Sequence, residues 1–365
     1  MSESSQQSSN LKGDGYKRCD VDSITQAALG ATVAAVFAGK RCNGKVLLAG
    51  ALLGTLPDLD VLINYGDDIS NTVKHRGFSH SLFVLPIFSW FLAWAIHYFK
   101  PIPAWSFNRL GLMIMSVLVT HPLLDYFTTY GTQLTWPIPG YYALSSVFII
   151  DPLYTLPLLI GVGFGLIRPK KAAKNSVIAL FIATLYLVWS LVAQQIIQQR
   201  VDDTVQALAL PTESVFITPA PLNTLLWRVV VLDGDSYWEG LASLLDKDAE
   251  VRFIRQPRGH WSIKETPEQL IDLQTFSQNY LSYREDNGQL IVSDLRMGMA
   301  GNLAFQFAFA ERNLEGQWQL YQTPFRYQGI SLKGDYGKLI DRLLGNANID
   351  ANLGNCAQCT TIETQ

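Results

Sequence analysis

Apolar residues along this chain come first in long unbroken blocks and later in short alternating runs. Residues 81–99, 110–127, 147–167 and 176–197 are each close to 20 residues long and nearly free of charge. At about 1.5 Å per residue, a helix of that length crosses a hydrocarbon core of about 30 Å, so these four blocks predict membrane spans. Two shorter blocks, 24–38 and 46–56, flank the basic, turn-like stretch GKRCNGK. They predict a helical hairpin that either re-enters the membrane or crosses it twice. Residues 1–20 are rich in Ser, Gln and Gly and contain no apolar run, the composition of a disordered extension rather than a signal peptide.

Beyond residue 200 the pattern changes to alternation. Leu303-Ala304-Phe305-Gln306-Phe307-Ala308-Phe309 and Trp318-Gln319-Leu320-Tyr321 predict strands. Asn287-Gly288 between two apolar runs, 280–284 and 290–292, predicts a hairpin, and residues 237–245 offer a helix. The expected organisation is an extension (1–20), an α-helical polytopic membrane domain (21–200) and a small α+β soluble domain (201–365).

Composition agrees with this division. The chain is 48% hydrophobic and 16% charged, whereas a soluble domain carries about a quarter charged residues, and more than half of the charges lie beyond residue 200. A net charge of −3 offers no basic surface for nucleic acid. Arg168, Lys170, Lys171 and Lys174 mark the loop at 168–174 as cytoplasmic. Alternation then puts Lys100 and Arg109 inside too, and the 128–146 connection and the soluble domain on the outer face. Cys356 and Cys359 form an isolated CxxC in the tail, which reads as a disulfide or plain thiols rather than a metal site.

Candidate chemistry lies in the membrane half. In THPLLDYF, Asp125 follows His121 by four residues, so on a helix an imidazole and a carboxylate share one face and can reach one ion. PDLD supplies Asp58 and Asp60, HRGFSHS supplies His75, Arg76 and His80, and Asp151 opens the next span in IIDPLY. Ionisable groups in a membrane are costly unless they meet a partner, an ion or a water-filled cavity. Under the orientation above, Asp22, Asp58, Asp60, His75, His80, His121, Asp125 and Asp151 all fall at the outer ends of their segments, as one metal-containing site would require. His97 falls at the opposite end and reads as packing, and His260 as a solvated residue of the soluble domain.

Taken in order, DSITQAALG (22–30), LPDLD (56–60), HRGFSHSL (75–82), HPLLDY (121–126) with YGT (130–132), and DPLY (151–154) carry a resemblance. They resemble the membrane-bound metal-dependent hydrolase family, also known as LexA-binding inner-membrane-associated hydrolases or domain of unknown function 457, over about residues 20–200. The resemblance implies a multi-pass inner-membrane (plasma-membrane) protein with a His/Asp site distantly similar to that of zinc-dependent phospholipase C enzymes. It implies His75, His80, His121 and Asp125 as the motif histidines and acid, with Asp22, Asp58, Asp60 and Asp151 as further motif carboxylates. One departure matters: many members have His where this chain has Gln26. An amide is a poor zinc ligand, so either the first motif contributes Asp22 alone or the site holds fewer ions.

The expected function is a hydrolase using a divalent metal, with zinc favoured by mixed imidazole and carboxylate donors. His75, His80, His121, Asp125, Asp58 and Asp22 are the candidate ligands. Asp60 or Asp151 would orient a ligand or serve as general base, and Arg76 would neutralise an anionic substrate such as a phosphoester. A site at the bilayer surface points to a lipid or lipid-linked substrate. The alternatives are an ion-coupled transporter, with Pro86, Pro122, Pro152 and Pro157 interrupting the spans but no internal repeat, and a metal-stabilised scaffold that presents the soluble domain.

Overall fold

Three glycines bring the first two helices of the fold into backbone contact. In the computed structural model, which describes residues 22–103, 105–299, 301–327, 336–356 and 359–360, α1 (Asp22–Ala38) and α2 (Gly44–Gly54) form a tight hairpin. A Cβ added to Gly30 would lie 2.3 Å from the Gly50 carbonyl oxygen, and one added to Gly54 would lie 2.5 Å from that of Gln26. Any side chain at these positions would force the pair apart. The expected extension at 1–20 lies outside the described residues.

After α2, a turn at Pro57–Leu62 carries Asp58 and Asp60. It leads to α3 (Asp68–Val73), whose N-terminus is capped by Asp67, and to a second turn at Phe78–His80. Then follow α4 (Val84–Phe99), α5 (Phe107–Tyr126), α6 (Pro152–Ile167) and α7 (Ala172–Ala207). The first helix is central and packs against α2, α5, α6 and α7.

Among the described residues, two helical stretches, Phe107–Tyr126 and Pro169–Ala207, are long and apolar enough to cross a membrane, and the pair Asp68–His80 and Val84–Phe99, bent by 57°, makes a third if taken as one span. The blocks at 81–99 and 147–167 yield helices of only 16 residues, about 24 Å and short of the roughly 30 Å core. The physical reason is capping. Asp151 accepts a hydrogen bond from Leu153 N (2.9 Å) and Pro152 occupies the first turn, where its missing N–H is no loss. Before α4 the chain makes a turn in which Ser81 Oγ accepts from Phe83 N and Val84 N, so the helix starts only at Val84.

No break occurs at residue 200. α7 runs 36 residues to Ala207, and its Ala193, Ile197 and Val201 are buried against Trp227, Val229, Val231 and Phe253 of the first sheet. That sheet is an antiparallel meander of β1 (Ser214–Pro219), β2 (Leu226–Asp233), β3 (Ser236–Ser243) and β4 (Arg252–Pro257). The helix expected at 237–245 is therefore a strand. Gly234, at φ 54°, opens a two-residue turn that returns the chain along β2, and pairing on both edges overrides local helical preference.

A helix, α8 (Glu268–Ser277), precedes β5 (Leu281–Asp286) and β6 (Gln289–Asp294), joined as expected at Asn287-Gly288, both with positive φ. The short pair β7 (Gly298–Met299) and β8 (Asn302–Leu303) leads to β9 (Gln306–Arg312) and β10 (Trp318–Arg326). The second sheet has the order β10-β9-β6-β5. The last helix, α9 (Tyr336–Leu343), precedes the Cys356–Cys359 disulfide. The fold is thus a helical membrane-spanning region followed by a small mixed α+β soluble domain.

The polar residues sort to opposite ends of the helical region. Arg109 binds the carbonyls of Phe37 and Ala38 at the end of α1, and the basic turns Gly39–Arg41 and Pro169–Lys171 lie side by side there. Gln26, at the start of α1, meets Asp125 near the end of α5.

Candidate metal centre

The helix of α5 sets His121 and Asp125 one turn apart on one face, with His121 Nε2 and Asp125 Oδ2 at 3.4 Å. His121 Nδ1 donates to the Gly54 carbonyl at 2.6 Å. A carbonyl can only accept, so Nδ1 carries a proton, and in the neutral ring Nε2 carries a lone pair. The close approach of α1 and α2 is what brings that carbonyl to the ring.

His80 is fixed by a parallel chain of donations. Ser79 Oγ lies 2.5 Å from Asp60 Oδ2 and 2.8 Å from His80 Nδ1. The hydroxyl proton goes to the carboxylate, so His80 Nδ1 donates to the hydroxyl, and in the neutral ring its Nε2 is also a lone pair. The two Nε2 atoms face each other at 3.1 Å, a contact that needs either a shared proton or a cation beside them. Asp125 Oδ2 lies 3.2 Å from His80 Nε2, is buried, and accepts no hydrogen bond among the described residues. Asp58 Oδ1 completes the group, 3.2 Å from His121 Nε2 and 3.5 Å from His80 Nε2. The four donor atoms all lie within 4.8 Å of one another. Two imidazoles and two carboxylates, one of them with an orphaned oxygen, can chelate a divalent metal ion.

Around this group the protein organises the donors. Asp125 Oδ1 accepts from Gln26 Nε2 (3.0 Å) and lies 3.3 Å from Arg76 Nη2, which leaves Oδ2 for the centre. Asp60 receives His75 Nδ1 (2.6 Å) and the Arg76 backbone N–H (3.0 Å) as well as Ser79. Burial alone would raise the Asp60 carboxyl; the hydrogen bond and charge of His75, with the hydrogen bond from Ser79, outweigh it and hold it below the ordinary carboxylate range. His80, His121 and Asp125 are buried, whereas the Asp58 side chain is 20% exposed and marks the open side.

Of the residues singled out in the sequence, Asp58, His80, His121 and Asp125 come together. His75 lies beside them on Asp60 and is not one of the four. Arg76 is buried against Asp125 rather than placed on the open side. Asp151 caps α6 and accepts from Tyr186 Oη at 2.7 Å, away from the group. The Asp22 side chain lies outside the described residues. His97 packs on Phe107, and His260 is exposed beside Asp235. Ser79 and the Gly54 carbonyl, which hold the two imidazoles, were not singled out in the sequence. Ser79 sits between the two motif histidines, but a backbone carbonyl leaves no trace in sequence.

Comparison with known proteins places this geometry in a family context. Residues 21–197 match the family described as YdjM inner membrane protein. Inner membrane protein YbcI of Escherichia coli (strain K12) is 34% identical over 120 residues, which cover 32% of this chain and 66% of that protein. The uncharacterized protein YfhP of Bacillus subtilis (strain 168) is 23% identical over 212 residues, 58% of this chain and 63% of that protein. The chain thus spans a little under two thirds of the length of each. No solved structure matches. The helical half is similar to YdjM/YbcI-type inner-membrane proteins, and all four donors fall inside the matched residues.

Proposed function

We propose that this chain, YdjM/YbcI-like over its membrane half, is an inner-membrane metal-dependent hydrolase acting on an ester or phosphoester of a lipid or lipid-linked substrate. The observation that carries the reading is the convergence of His80 Nε2 and His121 Nε2, 3.1 Å apart, beside the orphaned Asp125 Oδ2. It agrees with the resemblance to membrane-bound metal-dependent hydrolases.

Asp58, His80, His121 and Asp125 would hold the ion, with zinc favoured by the donor set. A divalent ion in such a site supplies Lewis acidity and lowers the pKa of water from about 15.7 to near 7. Asp58, the exposed member, faces the substrate side. His75 has Nδ1 committed to Asp60 and its side chain 20% exposed, so its Nε2 can take or give a proton while Asp60 fixes the ring. Gln26 and Arg76 hold Asp125 Oδ1 and keep its other oxygen turned inward. Arg76 thereby balances a buried carboxylate instead of meeting substrate.

The donors and the soluble domain lie at the end of the helical region opposite the basic turns. Positive loops favour the cytoplasm, which supports an outer-face position for the candidate site and the soluble domain. The Cys356–Cys359 disulfide suits an oxidising compartment.

The test is metal content by mass spectrometry of detergent-purified protein beside a folded His80→Ala/His121→Ala variant, followed by phosphoester and lipid turnover with the metal found. One equivalent of transition metal, lost in the variant together with turnover, is the expected result. Folded wild-type protein that takes up neither zinc nor manganese would overturn the reading.

A further inference from the structure

We infer that Tyr130 is a positioning residue for the metal centre, and that the soluble domain acts on the centre through it. This rests on the reading of Asp58, His80, His121 and Asp125 as metal donors.

Tyr130 lies four residues beyond the end of α5, buried where the two halves of the chain meet. Toward the centre, the Arg76 guanidinium stands 5.0 Å from its ring centroid and the His75 ring meets it edge-on at 5.6 Å. From the soluble domain, Phe276 and Phe305 meet the same ring at 5.2 and 5.7 Å. Its hydroxyl donates to the Thr72 carbonyl at 2.5 Å, and Tyr141, which also touches Phe276, donates to the neighbouring Val73 carbonyl at 3.1 Å. Thr72 and Val73 end α3, the segment that leads directly into His75 and Arg76.

That segment belongs to the core of the soluble domain. Ile69, Val73 and Tyr130 share one hydrophobic cluster with Leu270, Leu273 and Phe276 of α8 and with Phe307 and Phe309 of β9. β10 adds a polar tie, Arg326 N donating to Asp68 Oδ2 at 2.9 Å. The loop bearing His75 and Arg76 is thus packed on one side against the metal donors and on the other against a domain that begins beyond the family match, which ends at residue 197.

Arg76 is where this support matters. It has φ 61°, a conformation that a residue with a side chain keeps only when its surroundings enforce it. Asp60 holds its backbone N–H, the Gln133 N–H donates to its carbonyl (3.0 Å), and Asp125, Thr128 Oγ1 (3.3 Å) and the Tyr130 ring hold its guanidinium. An ionised Asp125 in this buried place needs that cation. Loss of the aromatic face under Arg76 lets the guanidinium leave Asp125 Oδ1, and the carboxylate then turns away from the lone pairs of His80 and His121.

The experiment is cobalt(II) titration of full-length, chelator-stripped protein in detergent, following the visible ligand-field band, on wild type, Tyr130→Phe, Tyr130→Leu and Phe276→Leu, each checked for folding by circular dichroism. Tyr130→Phe keeps the ring and should retain the wild-type band and affinity. Tyr130→Leu should weaken affinity about 10- to 100-fold, the usual effect of removing support behind a ligand, and shift the band. Phe276→Leu, remote from the donors, should change both in the same direction by less. Wild-type affinity and band in folded Tyr130→Leu or Phe276→Leu overturn the inference, and if Tyr130→Leu does not fold, Phe276→Leu decides alone. Wild-type protein that binds no cobalt overturns the metal reading beneath it, an outcome distinguishable because it precedes any comparison of variants.

Discussion

His80 and His121 present their Nε2 atoms to each other at 3.1 Å while the Nδ1 of each is engaged, one with the Ser79 hydroxyl and the other with the Gly54 carbonyl. Because both protons are held on the far side of the rings, the contact repels unless a cation or an extra proton joins it. Chelation and reloading therefore bear directly on stability. Zinc at about 100 times its dissociation constant should stabilise the fold by about 2.7 kcal/mol, seen as a rise in melting temperature, and the rise should vanish in His121→Ala.

Gln26 is buried at the start of α1, and its amide donates to Asp125 Oδ1 at 3.0 Å. Gln26→Ala removes one of the groups that turn Oδ2 inward. It should weaken zinc affinity by about tenfold, measured by competition with a chromophoric chelator. Unchanged affinity would show that Arg76 alone orients the carboxylate.

Gly30 bears on the centre through the backbone. Gly30→Ala would place a methyl group 2.3 Å from the Gly50 oxygen, and neither helix backbone can yield cheaply. We expect a cost of at least about 1–3 kcal/mol, with loss of metal as the Gly54 carbonyl moves off His121. Gly163→Ala in α6 meets nothing within 4 Å and should be neutral or stabilising by up to about 1 kcal/mol. Equal melting temperatures for the two variants would refute the packing argument.

The proposed orientation is checked by labelling single cysteines in intact cells with a membrane-impermeant maleimide. Glu265→Cys, exposed in the soluble domain, should react at once, and Lys171→Cys, exposed in the basic turn, only after permeabilisation. The reverse pattern would turn the protein over and put the candidate site inside the cell.

Much of the architecture was legible in the sequence because it follows from local chemistry. Apolar blocks of span length announced α5 and α7, the change to alternation announced strands, and Asn287-Gly288 announced the hairpin through the positive φ that both residues adopt. Element limits were less legible. Asp151 shortens one expected span by capping, the turn held by Ser81 shortens another, and Gly234 commits 236–243 to a strand where local pattern favours a helix.

The candidate site divides the same way. The i to i+4 spacing of His121 and Asp125 was visible because helix geometry alone sets it, and PDLD and HRGFSHS supplied donors of the right kind. Which donors converge was decided by tertiary structure. His75 and His80 stand five residues apart in one motif, yet His75 turns to Asp60 while His80 faces His121. Arg76 was expected to meet an anion from outside and instead pairs with Asp125 inside. These outcomes depend on a carbonyl delivered by the contact of three glycines and on aromatic rings delivered by a domain more than a hundred residues away in the chain. Sequence determines which groups are present and their local periodicity, whereas the partner of each lone pair is set by packing between segments that local periodicity does not connect.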